Sequence, residues 1–270
     1  FFSQAEAVVK YADMSLNTDL SVIQELSRFA LLQGIQHGIF LMVELGDLRE
    51  GLMPAVVHDV VEHVLELDGV VLEGIGTNLA CFGGIKPDAE KMGQLSLLAN
   101  EIEVEFGLIL PCVSGGNSAN YDWFNATPDV GRINNLRLGE SIYLGCETLH
   151  RKPIPGLFTD AFTLVAEVIE SAIKPSFPYG EVCQDVSGQV PQFPDLGPMR
   201  RAILGIGRQD VLVSGLTPRA EIDILGASSD HIIMNTRNTT YVAGDEVAFD
   251  LNYGALLSAM TSPYVEKLVL

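Results

Sequence analysis

The chain has 270 residues, of which 47% are hydrophobic, so it can bury a large core in one or two domains. Its formal net charge of −19 argues against a nucleic acid or an anionic membrane as a partner, because both would repel it. The longest apolar runs are too short to span a bilayer, and we expect no secretory signal. The four cysteines lack metal-binding spacing, which is typical of reduced thiols in a cytoplasmic protein.

Residues 1–145 alternate short apolar runs with amphipathic helical patterns, which indicates β/α units around a parallel sheet. The predicted strands cover residues 14–17, 38–45, 70–75, 108–113 and 134–138. Asn17 or Thr18 is expected to cap the first long helix. Glycine-rich polar segments follow the strands, and parallel folds build their sites at this edge. Five strands are too few for a closed eight-stranded barrel, so an open sheet and part of a barrel are both allowed.

The pattern changes after residues 151–156. Strand-like runs at 162–169, 201–206, 211–213, 231–235 and 246–251 are separated by Gly, Pro, Asn and Asp turns. We therefore predict a β/α portion over residues 1–156 and a β-rich domain over residues 157–270.

Two neighbouring loops offer groups that can hold a phosphate. One is SGGNS at residues 114–118, and the other is NLRLGE at residues 135–140. Small residues let an anion approach backbone N–H groups closely, and a following helix start adds positive potential. A Gly-Gly pair alone is more often an ordinary turn, so the prediction depends on the two loops being neighbours.

Charged residues at predicted strand ends are further candidates. A guanidinium at Arg49 or Arg137 can bind a carboxylate or donate into a cofactor ring, and a salt bridge to Glu50 or Glu140 is the equally weighted alternative. The adjacent Asp230 and His231 can perform acid–base chemistry, although such a pair more often caps a turn.

Four ordered segments resemble the alanine racemase family. They are ELGDLREG (44–51), EGIGTNLAC (73–81), SGGNSA (114–119) and LRLGESIYLG (136–145). Three further segments, GIGRQD (205–210), GASSDH (226–231) and MTS (260–262), are most similar to its ornithine racemase branch. The resemblance implies a (β/α)8 TIM-type barrel, here roughly strands 4–8, a mostly β C-terminal domain and the cofactor pyridoxal 5'-phosphate (PLP).

The resemblance also implies roles for individual residues around the cofactor. It assigns the phosphate to Asn117, Ser118, Gly139 and Glu140, the ring nitrogen to Arg137, and the space under the ring to Asn78. Because an arginine keeps its proton, it would leave the ring nitrogen unprotonated and the ring a weaker electron sink. We therefore expect proton exchange at Cα with little transamination.

For the substrate, the resemblance gives Arg49 a role in arranging the cofactor and the substrate carboxylate. Asp47 stands where the family has Met, and its carboxylate can receive the cationic side chain of ornithine or lysine, although capping a helix is an equally ordinary role. The family's second base is a tyrosine from the partner subunit. Arg208 occupies that position here, so Arg208, Asp230 and His231 are all candidates.

The family's Schiff-base lysine belongs at the end of the first barrel strand. None of the six lysines lies in such a context; they are Lys10, Lys86, Lys91, Lys152, Lys174 and Lys267. Because the resemblance begins near the fourth strand and the chain does not start with Met, we expect three strands and this lysine to precede Phe1.

Together these features predict a PLP-dependent racemase of a basic amino acid, working as a cytoplasmic homodimer with active sites shared between subunits. A PLP-dependent lyase or dehydratase acting on a D-amino acid is the first alternative. A non-catalytic protein that binds PLP or amino acids is the second.

Overall fold

The computed structural model describes residues 2–184, 188 and 190–269. The chain divides into two compact units, Phe1–Leu157 and Phe158–Leu270. None of the described helices combines the length and the apolar composition needed to cross a bilayer.

The first unit contains a five-stranded parallel sheet in the order β1-β2-β3-β4-β5. The strands are β1 (Met14–Asn17), β2 (His37–Val43), β3 (Val70–Thr77), β4 (Cys112–Asn117) and β5 (Asn135–Arg137). The helices are α1 (Ala5–Tyr11), α2 (Leu20–Gln33), α3 (Val57–Leu65), α4 (Ala89–Phe106), α5 (Tyr121–Ala126) and α6 (Glu140–Leu144). The 3₁₀ turns are Phe2–Gln4, Pro54–Val56 and Ser118–Asn120. The parallel β/α architecture predicted from the sequence is confirmed.

The first helical connection shows how local sequence sets these bounds. Every residue of β2 is buried, which explains its unbroken apolar run. α2 begins after Asp19, whose carboxylate accepts from the Ser21 N–H at 2.8 Å, and ends at Gly34 in the left-handed conformation with φ 69°. The predicted caps Asn17 and Thr18 were wrong, because Asn17 is still paired in β1.

β4 differs from its prediction, which placed a strand over 108–113 and a loop over 114–118. The strand covers Cys112–Asn117, so most of the SGGNS segment is strand and only Ser118 begins a turn. Its glycines serve close packing: a Cβ on Gly115 would lie 2.7 Å from Ile133, and one on Gly116 would lie 2.3 Å from the Asn120 amide. Gly116 also has φ 140°, which side chains rarely allow.

The second unit contains a six-stranded sheet in the order β8-β11-β6-β7-β10-β9, in which neighbouring strands are antiparallel. Its strands are β6 (Leu164–Pro175), β7 (Pro198–Leu204), β8 (Leu216–Pro218), β9 (Asp223–Ala227), β10 (Ile232–Asn235) and β11 (Glu246–Leu251). The mostly β character predicted from the sequence is confirmed.

Two elements of the second unit differ from the predictions. The strand expected at 211–213 was wrong, because Val211 packs in the core and the Leu212 N–H donates to the Ser258 hydroxyl at 2.8 Å. A 3₁₀ turn, Val213–Gly215, follows instead. Ser258 belongs to α7 (Tyr253–Thr261), a helix that the sequence reading did not predict.

Candidate active site

The carboxyl ends of β3, β4 and β5 meet at one edge of the parallel sheet, and hydrogen bonds join the residues there. The Asn117 side-chain amide donates to Asn78 Oδ1 at 2.8 Å and to the Leu79 carbonyl at 2.9 Å. Arg137 Nη2 donates to the Thr77 carbonyl at 2.8 Å and lies 3.4 Å from Asn78 Oδ1. We call Asn78, Asn117 and Arg137 the rim cluster, and it brings together three residues that the sequence predicted as cofactor ligands.

Arg137 is a half-buried cation with neutral hydrogen-bond partners. Its Nη1 donates to the Ser114 hydroxyl in addition to the Thr77 carbonyl. Among the described residues it forms no salt bridge, since Glu50 pairs with Arg49 and Glu140 pairs with Arg151. Burial lowers the pKa of Arg137, and the nearby charge of Glu50 opposes that change. The guanidinium therefore keeps its charge without a neutralising contact, which suits it to meet a polar group of a ligand.

A second set of donors converges on Ser118, beside the rim cluster. The Gly139 and Ser141 N–H groups each donate to Ser118 Oγ at 3.2 Å, and the Ser141 hydroxyl does so at 3.1 Å. A Cβ built on Gly139 would meet nothing within 4 Å, so the space beside its backbone is open. Convergent backbone and hydroxyl donors next to open space fit a phosphate group.

Ser141 was not predicted. It lies in α6 and is 1% exposed, yet only the fold shows that its hydroxyl points at Ser118. The one available signal was a serine directly after the second phosphate-type loop, two residues beyond Gly139. Glu140, which the sequence did predict, uses its side chain in the ion pair with Arg151, and the predicted role of its backbone N–H stays a prediction.

Asp47 makes contacts that the sequence did not predict. It lies in the segment after β2, and its carboxylate accepts from the N–H groups of Cys81, Phe82 and Gly83, each at 3.0 Å. Burial acts to raise the pKa of Asp47, but these hydrogen bonds and the charge of Arg49 together lower it. The side chain is 1% exposed, so it can bind a substrate cation only by releasing the loop after β3. Nor does it cap a helix; it anchors that loop.

Arg49 lies within electrostatic reach of the rim cluster. Its guanidinium pairs with Glu50, which raises the pKa of Arg49, and its Nη1 donates to Cys81 Sγ at 2.7 Å. Its positive charge also acts to lower the pKa of Arg137. The salt-bridge alternative weighed from the sequence is thus observed for Arg49, while a role toward the substrate carboxylate stays a prediction.

The three candidates for the second base lie together in the second unit. The Arg208 N–H donates to the Ser228 carbonyl at 3.0 Å, which joins the segment after β7 to the turn that carries Asp230 and His231. His231 Nδ1 lies 3.3 Å from Asp230 Oδ1. The Ser229 hydroxyl and the neighbouring His231 lower the pKa of Asp230, and Arg208 Nε donates to the Ala227 carbonyl at 2.9 Å. Hydrogen bonds thus bring Arg208 next to the turn that carries Asp230 and His231, and we call these three residues the second-unit cluster.

All six lysines are described, and none of them donates a hydrogen bond to a residue of the rim cluster. Lys91 pairs with Asp88, Lys174 pairs with Glu170, and Lys267 donates to the Ser262 carbonyl. The Schiff-base lysine expected upstream of Phe1 stays a prediction.

Comparison with known proteins gives close relatives. The model of the alanine racemase N-terminal domain matches residues 3–146. The ornithine racemase of Acetoanaerobium sticklandii is 41% identical over 268 residues, which are 98% of this chain and 76% of that protein. The lysine racemase of Thermotoga maritima is 38% identical over 262 residues, which are 96% of this chain and 73% of that protein.

A solved structure shares the fold. The alanine racemase from Bartonella henselae with covalently bound pyridoxal phosphate superposes with a TM-score of 0.62 at 17% identity, covering 91% of this chain and 66% of that one. The family that the sequence resembles is confirmed. The enzyme class implied by the resemblance is that of the two racemases, and the implied cofactor is the one bound in the Bartonella henselae structure. The chain therefore belongs to the alanine racemase N-terminal domain family.

Proposed function

We propose that the chain belongs to a PLP-dependent racemase that interconverts the L and D forms of a basic amino acid, ornithine or lysine. The observation that carries this proposal is Arg137, a charged guanidinium with neutral partners beside the donors that converge on Ser118. The two curated racemases, 41% and 38% identical to this chain, support the substrate class.

The rim cluster and the donors around Ser118 account for cofactor binding. Ser118, Ser141 and the Gly139 N–H would hold the phosphate, and Asn78, fixed by Asn117, would pack under the ring. When bound, PLP withdraws electrons from the Cα of an attached amino acid and acidifies its C–H bond. Arg137 would donate to the ring nitrogen and keep it unprotonated, because a guanidinium does not give up its proton. This favours proton exchange at Cα over transamination.

Racemisation needs a proton-transfer group on each face of Cα. The family resemblance gives one face to the Schiff-base lysine, which none of the six lysines of this chain matches. We assign the other face to the second-unit cluster, in which Asp230 lies beside His231 and near Arg208. Following the family pattern, this cluster would reach the site of the partner subunit in a head-to-tail homodimer.

A cationic substrate is compatible with the charge of the chain, whose −19 attracts cations. We propose that Asp47 does not receive the substrate's side chain, because its carboxylate already accepts from three backbone N–H groups. Its proposed contribution is to hold the loop after β3, which also carries Cys81, a partner of Arg49.

The test of this proposal is Arg137→Glu in the full-length protein. A glutamate can protonate or share a proton with the ring nitrogen, so we expect a higher ratio of transamination to racemisation, measured as pyridoxamine phosphate formed against the mirror-image amino acid. Arg28→Glu makes the same charge change on α2, where Arg28 pairs with Glu25 three residues earlier in the same helix, and should leave the ratio unaltered. If Arg137→Glu and the wild type show the same ratio of transamination to racemisation, the proposed contact between Arg137 and the ring nitrogen is contradicted.

A further inference from the structure

We propose that Ser114 and Asn135 are positioning residues that orient the Arg137 guanidinium toward the cofactor ring, an inference that rests on the proposed function. Ser114 lies in β4 and Asn135 is its partner in β5. The Ser114 hydroxyl accepts from Arg137 Nη1 and donates to Asn135 Oδ1 at 2.7 Å. The phosphate loop predicted from the sequence included Ser114, whereas the structure places its hydroxyl under the guanidinium.

The chemistry of the three groups fixes the direction of these hydrogen bonds. An arginine has donors only, so the Ser114 oxygen must accept from Arg137. The one hydroxyl proton is then free to point at Asn135, whose side-chain oxygen accepts it. Because Ser114 is 1% exposed, water does not compete for either bond.

Two contacts are enough to hold a planar group. Arg137 Nη1 is bound to Ser114 and Nη2 to the Thr77 carbonyl, so the guanidinium plane is fixed from β4 and from β3. The remaining N–H groups of the Arg137 guanidinium therefore point in one fixed direction. Removing the Ser114 contact leaves only the contacts of Nη2, with the Thr77 carbonyl and Asn78 Oδ1, about which the guanidinium can rotate.

Cys112 provides a reporter of this arrangement that needs no cofactor. Burial raises the pKa of the Cys112 thiol, and the positive charge of Arg137 opposes that change. When Arg137 turns away, the thiol should lose this electrostatic help and react more slowly with an alkylating reagent.

The experiment compares Ser114→Ala and Asn135→Leu with conservative variants in the full-length protein. Ser114→Thr keeps the hydroxyl and Asn135→Asp keeps the acceptor. Ser27→Ala is the matched control, because Ser27 is another buried serine that accepts one backbone bond, from Gly69, on α2. Three quantities are measured: kcat and KM for racemisation, the ratio of transamination to racemisation, and the rate of Cys112 alkylation by iodoacetamide in cofactor-free protein, located by mass spectrometry.

For Ser114→Ala we expect kcat to fall roughly 10- to 100-fold, the range for losing a hydrogen bond to a charged group, with KM nearly constant. The transamination ratio should rise and Cys112 should be alkylated more slowly. Asn135→Leu should do the same more weakly. At least one conservative variant should restore the wild-type ratio, and Ser27→Ala should alter stability alone.

Two outcomes separate the failure of this inference from the failure of the proposed function. A wild-type protein that racemises, with Ser114→Ala unchanged in ratio and in Cys112 alkylation, would overturn the positioning role. If the wild-type protein neither binds PLP nor racemises its substrate, the proposed function fails. Slower alkylation of Cys112 in Ser114→Ala would even then support the inference that Ser114 orients the Arg137 guanidinium. The same ratio change in Ser27→Ala would contradict the inference by showing a general structural effect.

Discussion

At Asp47 one carboxylate accepts from three backbone N–H groups of the loop after β3, those of residues 81–83. Replacing Asp47 by Asn keeps the size but leaves one oxygen to accept where two did. We expect a loss of about 1–3 kcal/mol in the free energy of unfolding, the cost of leaving buried donors unpaired. Racemisation of ornithine and of alanine should fall in the same proportion, since Asp47 does not receive the substrate's side chain.

The pH dependence of stability gives the same prediction a second readout. The pKa of Asp47 is lowered in the folded state, so its contribution is present above the ordinary value of 3.8 and is lost as the pH falls through the folded value. Urea unfolding followed across this range should show a shallower acid limb for Asp47→Asn. Asp129→Asn is the control, because it removes the charge of a carboxylate that accepts from a single exposed N–H, that of Gly131. If Asp47→Asn instead lowers the racemisation of ornithine much more than that of alanine, Asp47 would have to be assigned to the substrate's side chain.

Residues of the site differ in how far the sequence revealed them. Arg137 and Asn117 were predictable because each follows a short apolar run, where parallel strands place their polar residues. Ser141 was not, because its meaning depends on the direction of its hydroxyl toward Ser118 across two elements. The loop-anchoring contacts of Asp47 were missed for a related reason: an acid at a strand end can bind a ligand or anchor a neighbouring loop, and the sequence pattern is the same.

At the scale of elements, apolar runs predicted where strands lie better than where they end. β2 was predictable because both of its faces are buried. β4 was not, since its glycines suggested a turn although they are required by Ile133 and Asn120 across the packing interface. In the second unit, α7 was missed and its contact with Leu212 replaced a predicted strand. In each case a tertiary contact outweighed a local pattern.

One ion pair joins α4 to the segment that leads into β5. Arg132 donates to both carboxylate oxygens of Glu103, and together with the Leu110 N–H it lowers the pKa of Glu103 to about 2. The contribution of this carboxylate is therefore complete above pH 4.5, its ordinary value, and is lost as the pH falls toward 2.

We expect Glu103→Gln to lower the free energy of unfolding at pH 7 by roughly 1 kcal/mol, allowing for solvent screening at a partly exposed pair. The difference in the free energy of unfolding between Glu103→Gln and the wild type should shrink to near zero as the pH falls from 4.5 toward 2. Glu25→Gln, which breaks an exposed pair within α2, should cost less at every pH. A constant difference from pH 7 to pH 3 would show that Glu103 acts through packing alone.

At the scale of the whole molecule, the rim cluster and the second-unit cluster belong to different compact units. If each active site takes the two clusters from different subunits, two inactive variants should complement each other. We expect Arg137→Ala, mixed and refolded with a variant in which Arg208, Asp230 and His231 are all Ala, to recover about one quarter of wild-type activity. Random pairing makes half of the dimers hybrid, each with one intact site. No recovery, with hybrid dimers present by native mass spectrometry, would place both clusters in one subunit.

The most direct test of the proposed function is the product made from L-ornithine by the full-length protein supplied with PLP in D₂O. Chiral chromatography with mass spectrometry should find D-ornithine carrying one deuterium at Cα, accumulating toward equal amounts of the two forms. The same enzyme should convert D-ornithine to the L form. Side-chain fragments or a keto acid as the main product would instead identify a lyase or a dehydratase. Recovery of unlabelled L-ornithine alone, with PLP bound, would contradict the racemase account outright.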